Sequence, residues 1–298
     1  MIFLSSFHML SKEEDENFFV PGSPTFKSKN YTTYHTTEYP FVLFRERDLP
    51  DFDFGDITVF YGNNGSGKST ILNVMAETLG LDRGTPYNRS DFFDDYVELC
   101  RYELAEPLPD ASRIITSDDV FERVLDIRRI NEGIDRKKAS AISEYVNERS
   151  SAEPNQLQGL DDYERWKNAY AARKKSATQS QYVRSHVMRN LQECSNGESA
   201  LSFFVDSIAD GALYLLDEPE NSLSPKNQVM LKYFIEDCVR CHDCQFVIST
   251  HSPFILSLRG AKIYNIDSAP ITRSTWTELE GVRVYYDFFA EHRNEFEP

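Results

Sequence analysis

Three short apolar runs stand out along the chain, each bounded by polar or turn-forming residues. Asp56-Ile57-Thr58-Val59-Phe60-Tyr61 is β-branched and aromatic, and Leu213-Tyr214-Leu215-Leu216 and Phe246-Val247-Ile248 repeat the character. Runs of this length and composition read as buried strands. Behind the first, Leu72, Met75, Ala76 and Leu79 fall at helical spacing, so a helix is expected from about Lys68, with Gly80 placed to end it. Between the other two, Ser224-Pro225 offers an N-cap followed by a first-turn proline, the start of another helix. Strand, helix, strand in this order predicts an α/β domain with a parallel sheet.

From about Ser117 the pattern changes. Strand signals stop, charge and alanine rise, and the only polar break is Ser150-Ser151-Ala152-Glu153-Pro154-Asn155. Two or three helices are expected here as a lobe inserted into the α/β domain, each arm at most about 30 residues or 45 Å long. The chain thus divides into 1–116, the first part of the core; 117–193, the helical lobe; and 194–298, the rest of the core.

Composition narrows the class. With 298 residues, 40% hydrophobic and 27% charged, the chain suits a soluble globular protein. No run approaches the roughly 20 apolar residues of a membrane span, so no membrane is expected. The apolar start Met1-Ile2-Phe3-Leu4 lacks a basic flank and soon meets Glu13-Glu14-Asp15-Glu16, which argues against a secretory signal. Five cysteines in this length make no disulfide framework, so a reducing cytoplasm is expected. The net charge of −16 is uneven. Residues 128–192 hold 13 basic against 8 acidic side chains, while the remainder holds 19 against 40. Arg173, Lys174, Lys175, Arg184 and Arg189 lie in a stretch, 171–192, with no carboxylate. A nucleic acid or an acidic protein would meet this stretch; a solvated helical face is the simpler reading.

Candidate chemistry begins at Gly62-Asn63-Asn64-Gly65-Ser66-Gly67-Lys68-Ser69, followed by Thr70, which fits G-x-x-x-x-G-K-[ST] between an expected strand and an expected helix. Glycines there let backbone amides converge on phosphate oxygens at a helix N-terminus. Lys68 would reach the β- and γ-phosphates of ATP, and the Ser69 hydroxyl would ligate Mg²⁺. The second feature is Asp217-Glu218-Pro219 at the end of an apolar run. Asp217 suits the Mg²⁺ shell, and Glu218, pointing away from its neighbour, suits a general base. By themselves two carboxylates after a strand are a solvated strand end. Third, Ser195-Asn196-Gly197-Glu198-Ser199 opens a helix whose Leu201, Phe204, Val205 and Ile208 form an apolar stripe; read alone, it is a cap. Fourth, Thr250-His251-Ser252-Pro253 follows the run Phe246 to Ile248.

Together and in this order the four motifs resemble those of the ABC ATPase class, in particular the soluble heads related to DNA-repair and chromosome-maintenance ATPases. Asp217-Glu218-Pro219-Glu220-Asn221-Ser222-Leu223-Ser224-Pro225 and the tail Tyr285-Tyr286-Asp287-Phe288-Phe289 are similar to small bacterial proteins described as AAA-family or predicted ATPases. The resemblance implies a P-loop NTPase core of ABC type, with ATP and Mg²⁺ bound between two copies arranged head to tail. One copy would supply the phosphate loop, Lys68, Ser69, Asp217, Glu218 and the γ-phosphate switch His251; the other would supply Ser195 and Gly197 of the signature. The cycle would control an effector protein or a nucleic acid; related soluble ATPases occur in anti-phage systems such as Septu and some retrons.

Two departures stand against the class pattern. Asn196 and Glu198 differ from the usual signature, and Ile114-Ile115-Thr116-Ser117-Asp118-Asp119 lacks the glutamine usual after that strand, leaving Asp118 or Asp119 as substitutes. Tyr39, Phe41 and Phe44 are candidates to stack on adenine, or are strand core. Two other functions remain open: the ATP-binding subunit of a membrane transporter and a non-hydrolysing, nucleotide-gated scaffold. Cys238, Cys241 and Cys244, with His242, mimic metal-ligand spacing, but Leu231, Phe234, Ile235 and Cys238 share one helical stripe, so a core role is expected.

Overall fold

In the computed structural model, residues 1–23, 37–47, 49–150, 196–221 and 223–296 are described. The chain divides into two compact units, Met1–Phe121 with Asn196–Pro298, and Glu122–Ser195.

The first unit is built on a six-stranded sheet. Its strands are β3 (Ile57–Tyr61), β5 (Arg113–Thr116), β6 (Leu213–Asp217), β7 (Gln245–Thr250), β8 (Lys262–Asn265) and β9 (Thr272–Arg273), in the order β5-β6-β7-β3-β8-β9. All pairings are parallel except β8 with β9. Apart from the exposed β9, alternate residues of the strands enter different core clusters: Phe60, Leu215 and Val247 in one, Val59, Leu216 and Ile248 in the other. A sheet buried on both faces explains why the strands read as continuous apolar runs. A second, antiparallel sheet of β1 (Leu4–His8), β2 (Phe52–Asp53) and β4 (Arg101–Leu104) has β1 at its centre.

Gln245 joins the two sheets. Its fully buried side chain accepts from the Phe3 and Leu4 amides at 2.8 Å and donates to the Leu4 and Gly55 carbonyls at 2.8 and 3.0 Å. Every polar atom of the amide is satisfied by backbone.

The register brings functional positions to one edge. Tyr61 pairs with Thr250, Asp217 with Ser249, and Thr116 with Asp217, so the carboxyl ends of β3, β7, β6 and β5 lie side by side. Ligands of open parallel sheets sit at such an edge. From it run helix α2 (Lys68–Thr78) and, after α1 (Lys12–Phe18) and α3 (Phe93–Leu99) in chain order, α4 (Ser117–Ser150). The last has 34 residues, longer than the expected arm. Helix α5 (Asn196–Ser207) buries Phe204 but leaves Val205 46% exposed, so Val205 does not belong to the expected stripe. Helix α6 (Pro225–Cys241) starts as expected, with the Ser224 hydroxyl accepting from the Asn227 amide. It buries Leu231, Ile235 and Cys238, while Cys241 is exposed and Cys244 is buried beyond the helix. Short α7 (Pro253–Leu256) follows β7, and α8 (Glu280–Glu291) and α9 (Arg293–Phe296) end the described chain.

Candidate functional site

The loop from Gly62 to Gly67 leaves β3 and enters α2 through two left-handed residues, Gly65 at φ +80° and Gly67 at φ +97°. Glycine is needed twice over at 67, because a Cβ there would stand 2.8 Å from the Phe44 ring. Gly67 is also the N-cap of α2, and it offers no side-chain acceptor. The first-turn amides of α2 therefore lack the usual cap, which leaves them for an anion. The Ser66 hydroxyl is buried without a hydrogen-bond partner. Outside the loop, the Arg47 guanidinium donates to the Ser66 carbonyl and Asp267 accepts from the Asn63 amide at 2.8 Å, fixing the loop on two sides. Thr70, the last motif residue, accepts at 3.2 Å from the Tyr39 hydroxyl.

Lys68 is only 3% exposed. Its Nζ donates to the Gly62 and Asn63 carbonyls at 2.8 and 3.0 Å and lies 3.5 Å from the Glu218 carboxylate. Across the β6 end, the Ser69 hydroxyl donates to Asp217 at 3.0 Å, and Ser249 donates to the same oxygen. Burial raises the Asp217 pKa, with the two hydroxyl hydrogen bonds opposing that shift.

Glu218 departs from the expectation that it points away from Asp217. Its φ of +47° takes the chain out of the strand, so strand alternation no longer applies. Asp217 and Glu218 line one cavity of about 440 Å³, together with Ser69, Asn73, Arg83 and Asp118. Glu218 is held by Asn221, which donates to it at 2.9 Å, and by its own amide, which donates to the Ser249 carbonyl at 3.0 Å. Arg83 was not apparent from sequence: it bonds Asn73 at 3.0 Å, lies 3.9 Å over the Tyr87 ring and keeps one guanidinium nitrogen, Nη1, buried without a partner. Burial lowers its pKa.

At the missing-glutamine position, Asp119 is engaged by the Thr116 amide and hydroxyl at 2.7 and 2.9 Å, whereas Asp118 lines the cavity. His251 lies at the end of β7, outside the cavity lining, with its amide donating to Glu220 at 2.9 Å. Ser195 lies outside the described residues, as does the basic stretch 171–192; Gly197 is in the first turn of α5. Tyr39, Phe41 and Phe44 sit in a turn segment and not in a strand. Phe41 and Phe44 are buried in the core, and Tyr39 packs against it.

A phosphate loop with an uncapped helix, a buried lysine and a serine–aspartate pair at one edge of a parallel sheet defines a P-loop NTPase-like domain. An all-oxygen pair such as Ser69 and Asp217 suits Mg²⁺, which takes few protein ligands and completes its shell with phosphate and water. Residues 57–257 match the family described as "AAA domain, putative AbiEii toxin, Type IV TA system", and the chain belongs to that family. Among curated proteins, the petrobactin import ATP-binding protein of Bacillus subtilis (strain 168) is 24% identical over 219 residues, which cover 70% of this chain and 75% of that protein. Solved structures include the Smc head domain of Pyrococcus furiosus bound to the C-terminal domain of ScpA, at 14% identity over 82% of this chain and 95% of that one, with a TM-score of 0.37. A dimeric ATP-binding cassette with ADP and phosphate matches at 14% identity over 78% and 92%, with a TM-score of 0.34. Among the described residues, no helix is long and apolar enough to cross a membrane.

Proposed function

We propose that this chain is an Mg²⁺-dependent ATPase that works as a cytoplasmic head-to-tail dimer. The observation carrying the reading is the convergence of Lys68, the Ser69–Asp217 pair and Glu218 on the uncapped start of α2. The loop amides and Lys68 bind the β- and γ-phosphates, Ser69 and Asp217 hold Mg²⁺, and Glu218 takes the proton of the attacking water. When bound, the metal supplies charge neutralisation between the phosphates. In the free protein Lys68 rests on loop carbonyls and on Glu218, contacts that phosphate oxygens replace. His251 contacts the γ-phosphate, and Ser195 and Gly197 of the second copy close the site.

The family's description, with its toxin and toxin–antitoxin wording, favours an effector protein as the partner; a role in anti-phage defence is part of the proposal by analogy with related soluble ATPases. Nucleic acid bound through 171–192 is the alternative partner. The name of the Bacillus relative favours a second reading, the ATP-binding subunit of an importer. Against it, β5 passes directly into α4 through Ser117-Asp118-Asp119, with no glutamine. Phosphate release from ATP with and without Mg²⁺ tests the ATPase; a protein that binds no ATP rejects it. Purification from cells with bound permease, effector or nucleic acid separates the partner readings.

A further inference from the structure

Glu220 is a carboxylate that the four motifs leave without a task. It is 5% exposed, and its Oε1 accepts from the Thr250 hydroxyl at 2.5 Å, the His251 amide at 2.9 Å and the Ser252 amide at 3.2 Å. The Nδ1 atom of His251 lies 3.5 Å from the same oxygen. The second oxygen, Oε2, is buried and has no hydrogen-bond partner. Burying a carboxylate with one oxygen unpaired costs stability. A neutral amide oxygen would accept the same three donors without burying a charge. The turn after β7 therefore needs an acceptor at this point, but it does not need an anion.

His251 is the group that an anion here can act upon. Its ring is the only titratable one in the Thr250–Ser252 segment that Glu220 grips, and at 43% exposure it is accessible to a ligand at the sheet edge. Glu220 follows the β6 end by three residues, and Asp217 and Glu218 line the cavity, so the carboxylate beside His251 and the cavity carboxylates share one turn. We propose that Glu220 is the positioning residue of His251: its charge fixes the Nδ1–H tautomer and the ring direction, leaving Nε2 toward the nucleotide, as second-sphere carboxylates do for metal-bound histidines. The inference rests on the nucleotide-hydrolysis reading for its consequence, but not for the Glu220–His251 coupling.

Two measurements test it. In kinetics, Glu220→Gln keeps the acceptor and removes the charge. The expected result is a kcat lowered by about 10- to 100-fold with ATP affinity unchanged, and no further loss when Glu220→Gln is added to His251→Ala. An equal loss in both backgrounds, or parental kcat, overturns the proposal. In ¹⁵N spectra of the imidazoles, with His251 assigned by its loss in His251→Ala, the nucleotide-free parent shows the proton on Nδ1, and Glu220→Gln shifts the His251 signals alone. An unchanged His251 spectrum in Glu220→Gln overturns the proposal even if the protein proves not to hydrolyse ATP. A parent that is inactive yet shows the shift rejects the ATPase reading and retains the coupling.

Discussion

Lys68 and Asp217 are both charges held out of water, and they are stabilised in opposite ways. Lys68 has two carbonyls and a carboxylate around its ammonium, so its charge is compensated before any ligand arrives. Lys68→Ala removes the cation that phosphate would take over, and ATP affinity should fall by about 10- to 100-fold, as for a lost hydrogen bond to a charged group, read by titration with a fluorescent nucleotide. Glu218→Gln should leave that affinity in place and lower turnover by about 10²- to 10⁴-fold; turnover at the parental rate would reject Glu218 as the base. Asp217 is compensated mainly by two hydroxyls, with a smaller contribution from the Lys68 charge, and burial outweighs them and raises its pKa. A carboxyl group with a raised folded pKa costs stability above that pKa, where it is ionised, and the cost is lifted as pH falls through it. Asp217→Asn, which keeps an acceptor for Ser69 and Ser249, should therefore raise the Tm of the nucleotide-free protein by a few degrees at neutral pH while removing Mg²⁺-dependent turnover. A lower Tm would reject the assignment of burial as the dominant effect. At this scale, Lys68, Ser69 and Asp217 were legible because fixed spacing ties them to strand and helix ends. Arg83 and Ser249 were not, since no motif spacing marks either, and Ser249 takes its place from Asp217, 32 residues away in the chain.

Elements were legible in proportion to their burial. Strands β3, β6 and β7 are apolar on both faces and stood out as runs, and α2 and α6 carried stop or start residues that the structure uses. The antiparallel sheet gave no such signal. Strand β2 has two residues, and β4 is exposed at every position, so neither has an apolar alternation to read. Tyr39, Phe41 and Phe44 read as adenine-stacking candidates or as strand core, yet they lie in a turn segment, with Phe41 and Phe44 buried in the core and Tyr39 packed against it. Gln245 shows how the second sheet is secured: one polar side chain inside a buried strand satisfies three backbone groups of Phe3 and Leu4 and one of Gly55. Gln245→Ala strands three buried backbone groups of Phe3 and Leu4 and one part-buried carbonyl at Gly55, each buried one costing about 1–3 kcal/mol when left unmade. The loss of stability should be at least about 3 kcal/mol, seen as a lower denaturant midpoint, with early hydrogen exchange of the Leu4–His8 amides. A loss well below this would mean that β1 docks through its apolar side chains alone.

For the whole molecule, charge decides how copies and partners meet. Each chain carries −16, concentrated outside residues 128–192, so two copies brought face to face repel one another. That repulsion is screened as salt rises from about 0.02 M to 0.15 M, where the Debye length is near 8 Å. If ATP joins two copies, the Glu218→Gln dimer trapped by ATP should form more readily over this range, with the dimer fraction read by light scattering. Nucleic acid bound through residues 171–192 should behave in the opposite way, weakening steeply over the same range as each neutralised phosphate releases counterions. The two readings thus differ in sign. Reversing Arg173, Lys174 and Lys175 to Glu sharpens the contrast. It makes the net charge of each chain more negative by six, so it should weaken the ATP-dependent dimer at low salt, leave it near parental at about 0.15 M, and flatten the salt dependence of any nucleic-acid binding. Ser195→Arg, placed at the expected junction of the copies, should prevent the dimer at every salt while leaving ATP binding to the single chain intact. An ATP-dependent dimer that survives Ser195→Arg, or that weakens with salt in the Glu218→Gln chain, would exclude the head-to-tail arrangement.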